Sequence, residues 1–225
     1  MPGILDSIKK IKLVQKLAKL VKGNAKFKST GDYWESRYAA GGNSGAGSYN
    51  ALAEYKAEII NAYVKEKNIA SVIEFGCGDG NQLRYFDFKS YLGFDISATV
   101  IANCRKKYAA DSTKSFEVIT NYTNQSAELT MSLDVIYHLV EYETFDAYMK
   151  TLFAASKKYV IVYSSNEDNH ENNNVAAHVK HRKFTTWVEK NASQFKLTNF
   201  IKNKYPYNGV NEVSSYADFY FYEKN

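Results

Sequence analysis

A nitrogen base and two carboxylates fall close together at His138, Asp134 and Glu141, in the run from Leu129 to Glu141. Imidazole titrates near neutral pH, so His138 has two readings: a hydrogen-bonded structural histidine, or a general base. Asp134 is better suited to shape a pocket or orient a neighbour than to take the proton. Tyr137 and Glu141 stand near enough in sequence to help the base or touch its substrate. A second concentration of chemistry lies at His178-Val179-Lys180-His181-Arg182-Lys183. It reads either as a solvated turn or as an anion site, in which His178, His181 and Arg182 meet a phosphate or carboxylate on an acceptor. The two cysteines, Cys77 and Cys104, have neither metal-ligand nor redox-pair spacing. No metal is expected.

A third stretch has the clearest spacing: Val72-Ile73-Glu74-Phe75-Gly76-Cys77-Gly78-Asp79-Gly80-Asn81-Gln82-Leu83. It reads as a buried strand, a glycine-rich turn and then a helix. Glycine at alternate positions lets the backbone turn sharply and leaves room for a ligand against the main chain. A helix start behind such a turn aims free N–H groups at that ligand. A dinucleotide fingerprint would place its last glycine where Asn81 stands. A second strand, Tyr91-Leu92-Gly93-Phe94-Asp95, ends on a carboxylate that can accept from both hydroxyls of a ribose. Asp95 thus points to an adenosine moiety without choosing the cofactor.

The Glu-x-Gly-x-Gly-x-Gly spacing from Glu74, together with Asp95, resembles the class I S-adenosylmethionine-dependent methyltransferases. The likeness extends to Tyr33-Trp34-Glu35-Ser36-Arg37-Tyr38 and Gly41-Gly42-Asn43-Ser44-Gly45-Ala46-Gly47-Ser48. In that family a comparable element folds over the cofactor. By resemblance, Tyr33 and Trp34 cover the sulfonium and Arg37 pairs with the methionyl carboxylate. The same likeness implies cofactor contacts at Ser48, Glu74, Gly76, Gly78, Asp79, Gln82, Asp95, Ile96, Leu133 and Asp134. It implies an adenine-side segment over Asn121 to Asn124, and acceptor contacts at Tyr137 beside His178, His181 and Arg182. The combination also looks like a bacterial subgroup associated with surface-polysaccharide biosynthesis. The activity this resemblance implies is S-adenosyl-L-methionine-dependent O-methylation of a sugar or phosphosugar in a glycan precursor. An N-methyltransferase of a small amine and a catalytically silent scaffold are the alternatives. The Asn/Asp-Pro-Pro-Tyr signature of amino-group methylators is missing after the fourth strand.

These residues need a frame. At 225 residues and 45% apolar, the chain can bury one sizeable core. Apolar stripes predict helices over Tyr49 to Lys67, Ser97 to Lys106 and Thr144 to Ala155. In the first of these, Leu52, Tyr55, Ile59, Ile60, Tyr63 and Val64 form the core stripe. The intervening polar positions are its solvated face, and Ser48 or Asn50 caps its start. Strands are predicted at Phe116 to Ile119, Leu129 to Ile136 and Tyr159 to Ser165, and Thr185 or Thr186 caps a further short helix. A closing strand pair, Phe195 to Lys202 and Tyr216 to Glu223, favours the methyltransferase arrangement over a dinucleotide-binding half. The resemblance therefore implies a Rossmann-like α/β fold: a mostly parallel seven-stranded sheet, an antiparallel last strand and helices on both faces.

Charge divides the chain. Residues 1–28 hold eight lysines and one acid, net +7, which leaves the remainder at −2 from a total of +5. A near-neutral body predicts no nucleic-acid face. The basic arm, Ile4 to Lys22, has helical apolar spacing with lysines on the opposite side. It could rest on an anionic membrane surface, pack on a partner, or dock on its own domain. A cytoplasmic protein, peripheral at the inner membrane face in the first case, is expected; no run reaches the roughly 18 apolar residues of a span.

Overall fold

A computed structural model describes residues 27–168 and 176–225. The basic arm and part of the polar loop after β5 lie outside the described residues. Helix α1 (Thr30–Ala39) and α2 (Asn50–Glu66) precede the sheet. Then come β1 (Val72–Phe75), β2 (Tyr91–Asp95), α3 (Ala98–Lys107), β3 (Lys114–Val118) and β4 (Ala127–Leu133). The chain closes with α4 (Tyr142–Ala154), β5 (Ser156–Ser164), α5 (Phe184–Asn191), β6 (Phe195–Ile201) and β7 (Asp218–Lys224).

The sheet order is β3-β2-β1-β4-β5-β7-β6, and only β7 runs against its neighbours. The chain builds outward from β1 to β3, then returns to pair β4 beside β1, with Val72 opposite Leu129 and Glu74 opposite Met131. That reversal leaves a crevice at the carboxyl ends of β1 and β4, where open α/β sheets bind ligands.

Two-residue alternation explains the two cores. In β5, Tyr159, Ile161 and Tyr163 join the core on the α2 side of the sheet, where Tyr159 meets Tyr63 edge-on. The intervening Val160 and Val162 face α4 and α5, packing with Met149, Leu152 and Trp187.

Three local expectations are corrected. The glycine turn does not feed a helix; it leads to a four-residue 3₁₀ turn, Gln82–Tyr85. Asn61 explains the stop, because its amide donates to Tyr85 O at 2.9 Å and its carbonyl accepts from Asp87 N at 3.1 Å. The α2 N-cap is Tyr49, with no side-chain capping bond from Ser48 or Asn50. Finally, Lys56 lies not on a solvated face of α2 but at 1% exposure in the core. No helix of the described residues is long and apolar enough to cross a membrane.

Candidate active site

The tips of β1, β2 and β4 open on a cavity of about 530 Å³, within the range of roughly 300–1,000 Å³ usual for small-molecule sites. Its floor is the glycine turn. Gly76 and Gly78 have φ of 81° and 55°, in the left-handed region where a side chain is strained. A Cβ on Gly76 would stand 2.4 Å from Val135, and one on Gly78 would stand 2.2 Å from Ser44 Oγ. The turn can therefore lie tight against both β4's tip and the 44–48 loop.

Asp95 closes the second side. Its Oδ2 accepts from Gly78 N and its Oδ1 from Ser97 N, each at 3.0 Å. Each carboxylate oxygen keeps a further lone pair for a ligand hydroxyl. Burial pushes the Asp95 carboxyl up to about 6. Burial also pushes Glu74 up to about 7, although Tyr91 donates to it at 2.6 Å. Gln82 lines the same cavity: its amide nitrogen donates to Ala53 O at 2.9 Å, while its buried Oε1 has no partner. A buried acceptor without a donor is costly unless a ligand supplies one.

The opposite wall departs further from the sequence expectation. Asp134 has φ 60° and pairs through Oδ2 with Lys56 Nζ at 2.5 Å, while Tyr137 OH donates to its Oδ1 at 2.8 Å. Both carboxylate oxygens are engaged, and Asp134 forms part of the cavity wall. Tyr137 is directed to Asp134, not into the cavity. Lys56, absent from the expected site, carries a buried charge at the cavity wall beside Glu74 and Gly76.

Helix α1 crosses above. Ser29 caps it through Asp32 N, and it is tied down at both sides. Glu141 accepts from Thr30 N at 3.1 Å and Thr30 Oγ1 at 2.7 Å. Glu35 accepts from Thr99 Oγ1 at the start of α3. Glu141 does not line the cavity; it ties α1 to the segment after β4. Trp34 faces the cavity and meets His138 edge-on at 5.0 Å. Tyr33 does not line it; it stacks on His178 at 4.2 Å. Arg37 is also outside, with Nε donating to Asn43 O at 2.6 Å. Asp79 accepts from Ser44 N at 3.0 Å and Tyr49 OH at 2.7 Å.

His138 lines the cavity, and its Nδ1 lies 3.1 Å from His178 O. A carbonyl only accepts, so Nδ1 carries the proton and Nε2 keeps a lone pair with no partner among the described residues. Burial pulls the His138 pKa down to about 4, which holds the ring neutral. Ser48, Ile96 and Leu133 line the cavity, as does Ile119, whereas Asn121 to Asn124 do not. Of the basic cluster, His178 reaches His138, with their rings stacked at 5.4 Å, whereas Arg182 and His181 are engaged elsewhere. Arg182 donates to Leu139 O at 2.5 Å and Val140 O at 2.6 Å, and His181 Nδ1 lies 2.6 Å from Ser165 Oγ.

Residues 73–161 match the family model described as a methyltransferase domain. By sequence, no curated protein is similar enough to match. Among solved structures, the N-methyltransferase NodS from Bradyrhizobium japonicum, in complex with S-adenosyl-L-homocysteine, superposes with a TM-score of 0.64 at 12% identity. That match covers 88% of this chain and 99% of NodS. Magnesium protoporphyrin IX methyltransferase from Synechocystis, with the same ligand, gives 0.57 at 14% identity, covering 92% and 100%. The fold is that of the class I, Rossmann-like methyltransferases. Over residues 73–161 the chain is similar to a methyltransferase domain, and S-adenosyl-L-methionine is the cofactor that such a fold implies.

The residues present fit that group. Asp95 offers acceptors for ribose hydroxyls, and the glycine turn allows close approach. The orphaned Gln82 Oε1 would accept from a donor on the cofactor, and the Lys56–Asp134 pair at the same cavity wall would offer both signs of charge to its amino-acid end.

Proposed function

We propose that this protein is an S-adenosyl-L-methionine-dependent O-methyltransferase acting on a hydroxyl of a sugar or phosphosugar in a glycan precursor. The observation that carries the reading is the neutral His138, with Nδ1–H anchored on His178 O and Nε2 free at the wall of the cavity. When bound, the cofactor's sulfonium supplies an electrophilic methyl group for in-line displacement.

The chain's own residues do the rest. Trp34 and the pinned α1 exclude water and press the acceptor against the tips of β1 and β4. Alignment of this kind accounts for much of the acceleration in a displacement that needs little covalent help. An attacking alcohol becomes strongly acidic as its new bond forms. A neutral imidazole, even one of lowered basicity, can then take the proton at Nε2. The cavity lining is largely apolar, and the ring of Trp34 within it, beside the hydroxyls of Ser48 and Thr144, suits the apolar face of a sugar ring.

A turnover screen of sugars and sugar phosphates, read by S-adenosyl-L-homocysteine release, tests this. A sugar hydroxyl is expected to be methylated. His138→Ala is expected to lower kcat by about 10²–10⁴-fold with cofactor affinity unchanged. Methylation of small amines alone, insensitive to His138→Ala, would overturn the reading in favour of N-methylation.

A further inference from the structure

Arg182, Lys180, Lys183 and Lys190 do not meet at the cavity lined by His138, yet they do meet. Together with His181 they line a second cavity of about 550 Å³ on the far side of the 139–147 segment. Helix α4 separates the two spaces. Glu143, Thr144 and Ala147 face the first, whereas Tyr142 and Phe145 face the second.

The charge there is out of keeping with its surroundings. Residues 29–225 carry a net −2, but this cavity gathers four cations against one acid, Asp168. Asp168 accepts from the backbone N–H of Lys183 at 3.2 Å. Among the described residues, no carboxylate pairs with the ammonium of Lys180, Lys183 or Lys190. Like charges held close without a counter-charge repel one another, and a bound anion relieves that repulsion.

Arg182 is the fixed point of the cluster. Its guanidinium is held by the carbonyls of Leu139 and Val140 and lies 4.9 Å over the Phe145 ring. The remaining N–H groups of that planar fork suit phosphate oxygens, and the three lysines on their long stems suit a multiply charged group. Tyr142, 57% exposed at the rim, offers a ring face to an organic substituent. The α5 first-turn amides of Thr185 and Thr186 are already bonded to Asn166 Oδ1 and Lys183 O. Side chains alone therefore make the site.

We infer that this second cavity is a binding site for a phosphate or diphosphate group. Such a group can be carried by a sugar ester, as the proposed acceptor class would be, or arrive free. The inference rests on the proposed function only for the sugar, because phosphate binding requires no methyl transfer.

Calorimetric titration tests it with two probes, inorganic pyrophosphate and glucose 1-phosphate, at fixed ionic strength. S-adenosyl-L-homocysteine binding is measured in parallel. Both probes are expected to bind wild-type protein, the sugar ester more tightly if the ligand is organic and pyrophosphate more tightly if it is free. The double variant Lys183→Ala/Lys190→Ala is expected to weaken both by at least about tenfold, with S-adenosyl-L-homocysteine affinity unchanged. The control variant Lys65→Ala/Lys196→Ala removes the same charge elsewhere and is expected to bind as wild type. No binding of either probe, or equal weakening by the two double variants, would overturn the site. Phosphate binding without any S-adenosyl-L-homocysteine binding would leave this site standing and remove the methyltransferase reading.

Discussion

The two walls of the cavity at the tips of β1, β2 and β4 are built by different means. The β1–β2 wall is local: a glycine turn and a carboxylate at the next strand's end, with Gly78 N donating directly to Asp95. The β4 wall is assembled from distant parts. Lys56 on α2 holds Asp134, and Glu141 holds Thr30 across 111 positions of sequence. One wall depends on backbone conformation, the other on charges and clasps. The first should therefore fail through shape and the second through electrostatics.

The largest effect is expected on the second wall. Lys56→Met leaves Asp134 beside the core without its partner, at a loss of about 3–5 kcal/mol. Chemical denaturation should show it, and adding Asp134→Asn should recover much of the loss. Equal stability for Lys56→Met and wild type would make the pair a surface-like contact and erase the contrast between the walls.

On the first wall, Gly76→Val puts a branched side chain at φ 81° and within 2.4 Å of Val135 at its Cβ. A loss of about 1–3 kcal/mol in stability is expected, together with loss of S-adenosyl-L-homocysteine binding in calorimetry. A variant that still binds would show that the turn is not the cofactor floor.

Titration sharpens the comparison further. Asp95 and Glu74 have raised folded-state values, about 6 and about 7, both from burial. Their protonated forms are favoured in the folded protein. The stability they contribute is complete below the unfolded carboxylate values and is lost as pH rises through about 6 to 7. Cofactor binding runs the other way, because Asp95 accepts best when ionised. S-adenosyl-L-homocysteine affinity should fall as pH drops through about 6, whereas stability should rise over the same window. Parallel trends would contradict the assignment of Asp95.

The smallest effect is expected at the α1 clasp. Glu141→Gln keeps one acceptor for Thr30 but loses the charge; partly exposed, it should cost about 1 kcal/mol or less. Its signature is a few-fold weaker cofactor affinity with little change in melting temperature. A hundred-fold fall in kcat at unchanged affinity would instead return Glu141 to the chemistry.

The same division explains what the sequence made legible. The glycine turn and Asp95 could be read because short-range spacing specifies them, and the sheet followed from the family resemblance that those residues carry. The second wall could not. Lys56 reads as solvent-facing by residue type, although its place four residues beyond Leu52 puts it on the core side of the helix, where it is buried against Asp134. Arg37 looked like an anion donor by type, yet the nearby carbonyl of Asn43 takes it up, and Arg182 is anchored by the carbonyls of Leu139 and Val140 away from His138. The helix expected after the glycine turn gave way to Asn61, a capping partner from α2 that no local pattern announces.

One titration separates floor from base most directly: S-adenosyl-L-homocysteine into wild type, Asp95→Ala and His138→Ala under the same conditions. Binding should weaken by at least about tenfold in Asp95→Ala and stay within about threefold of wild type in His138→Ala. Undiminished binding to Asp95→Ala, or none to the wild type at millimolar ligand, would contradict a cofactor seated on the glycine turn.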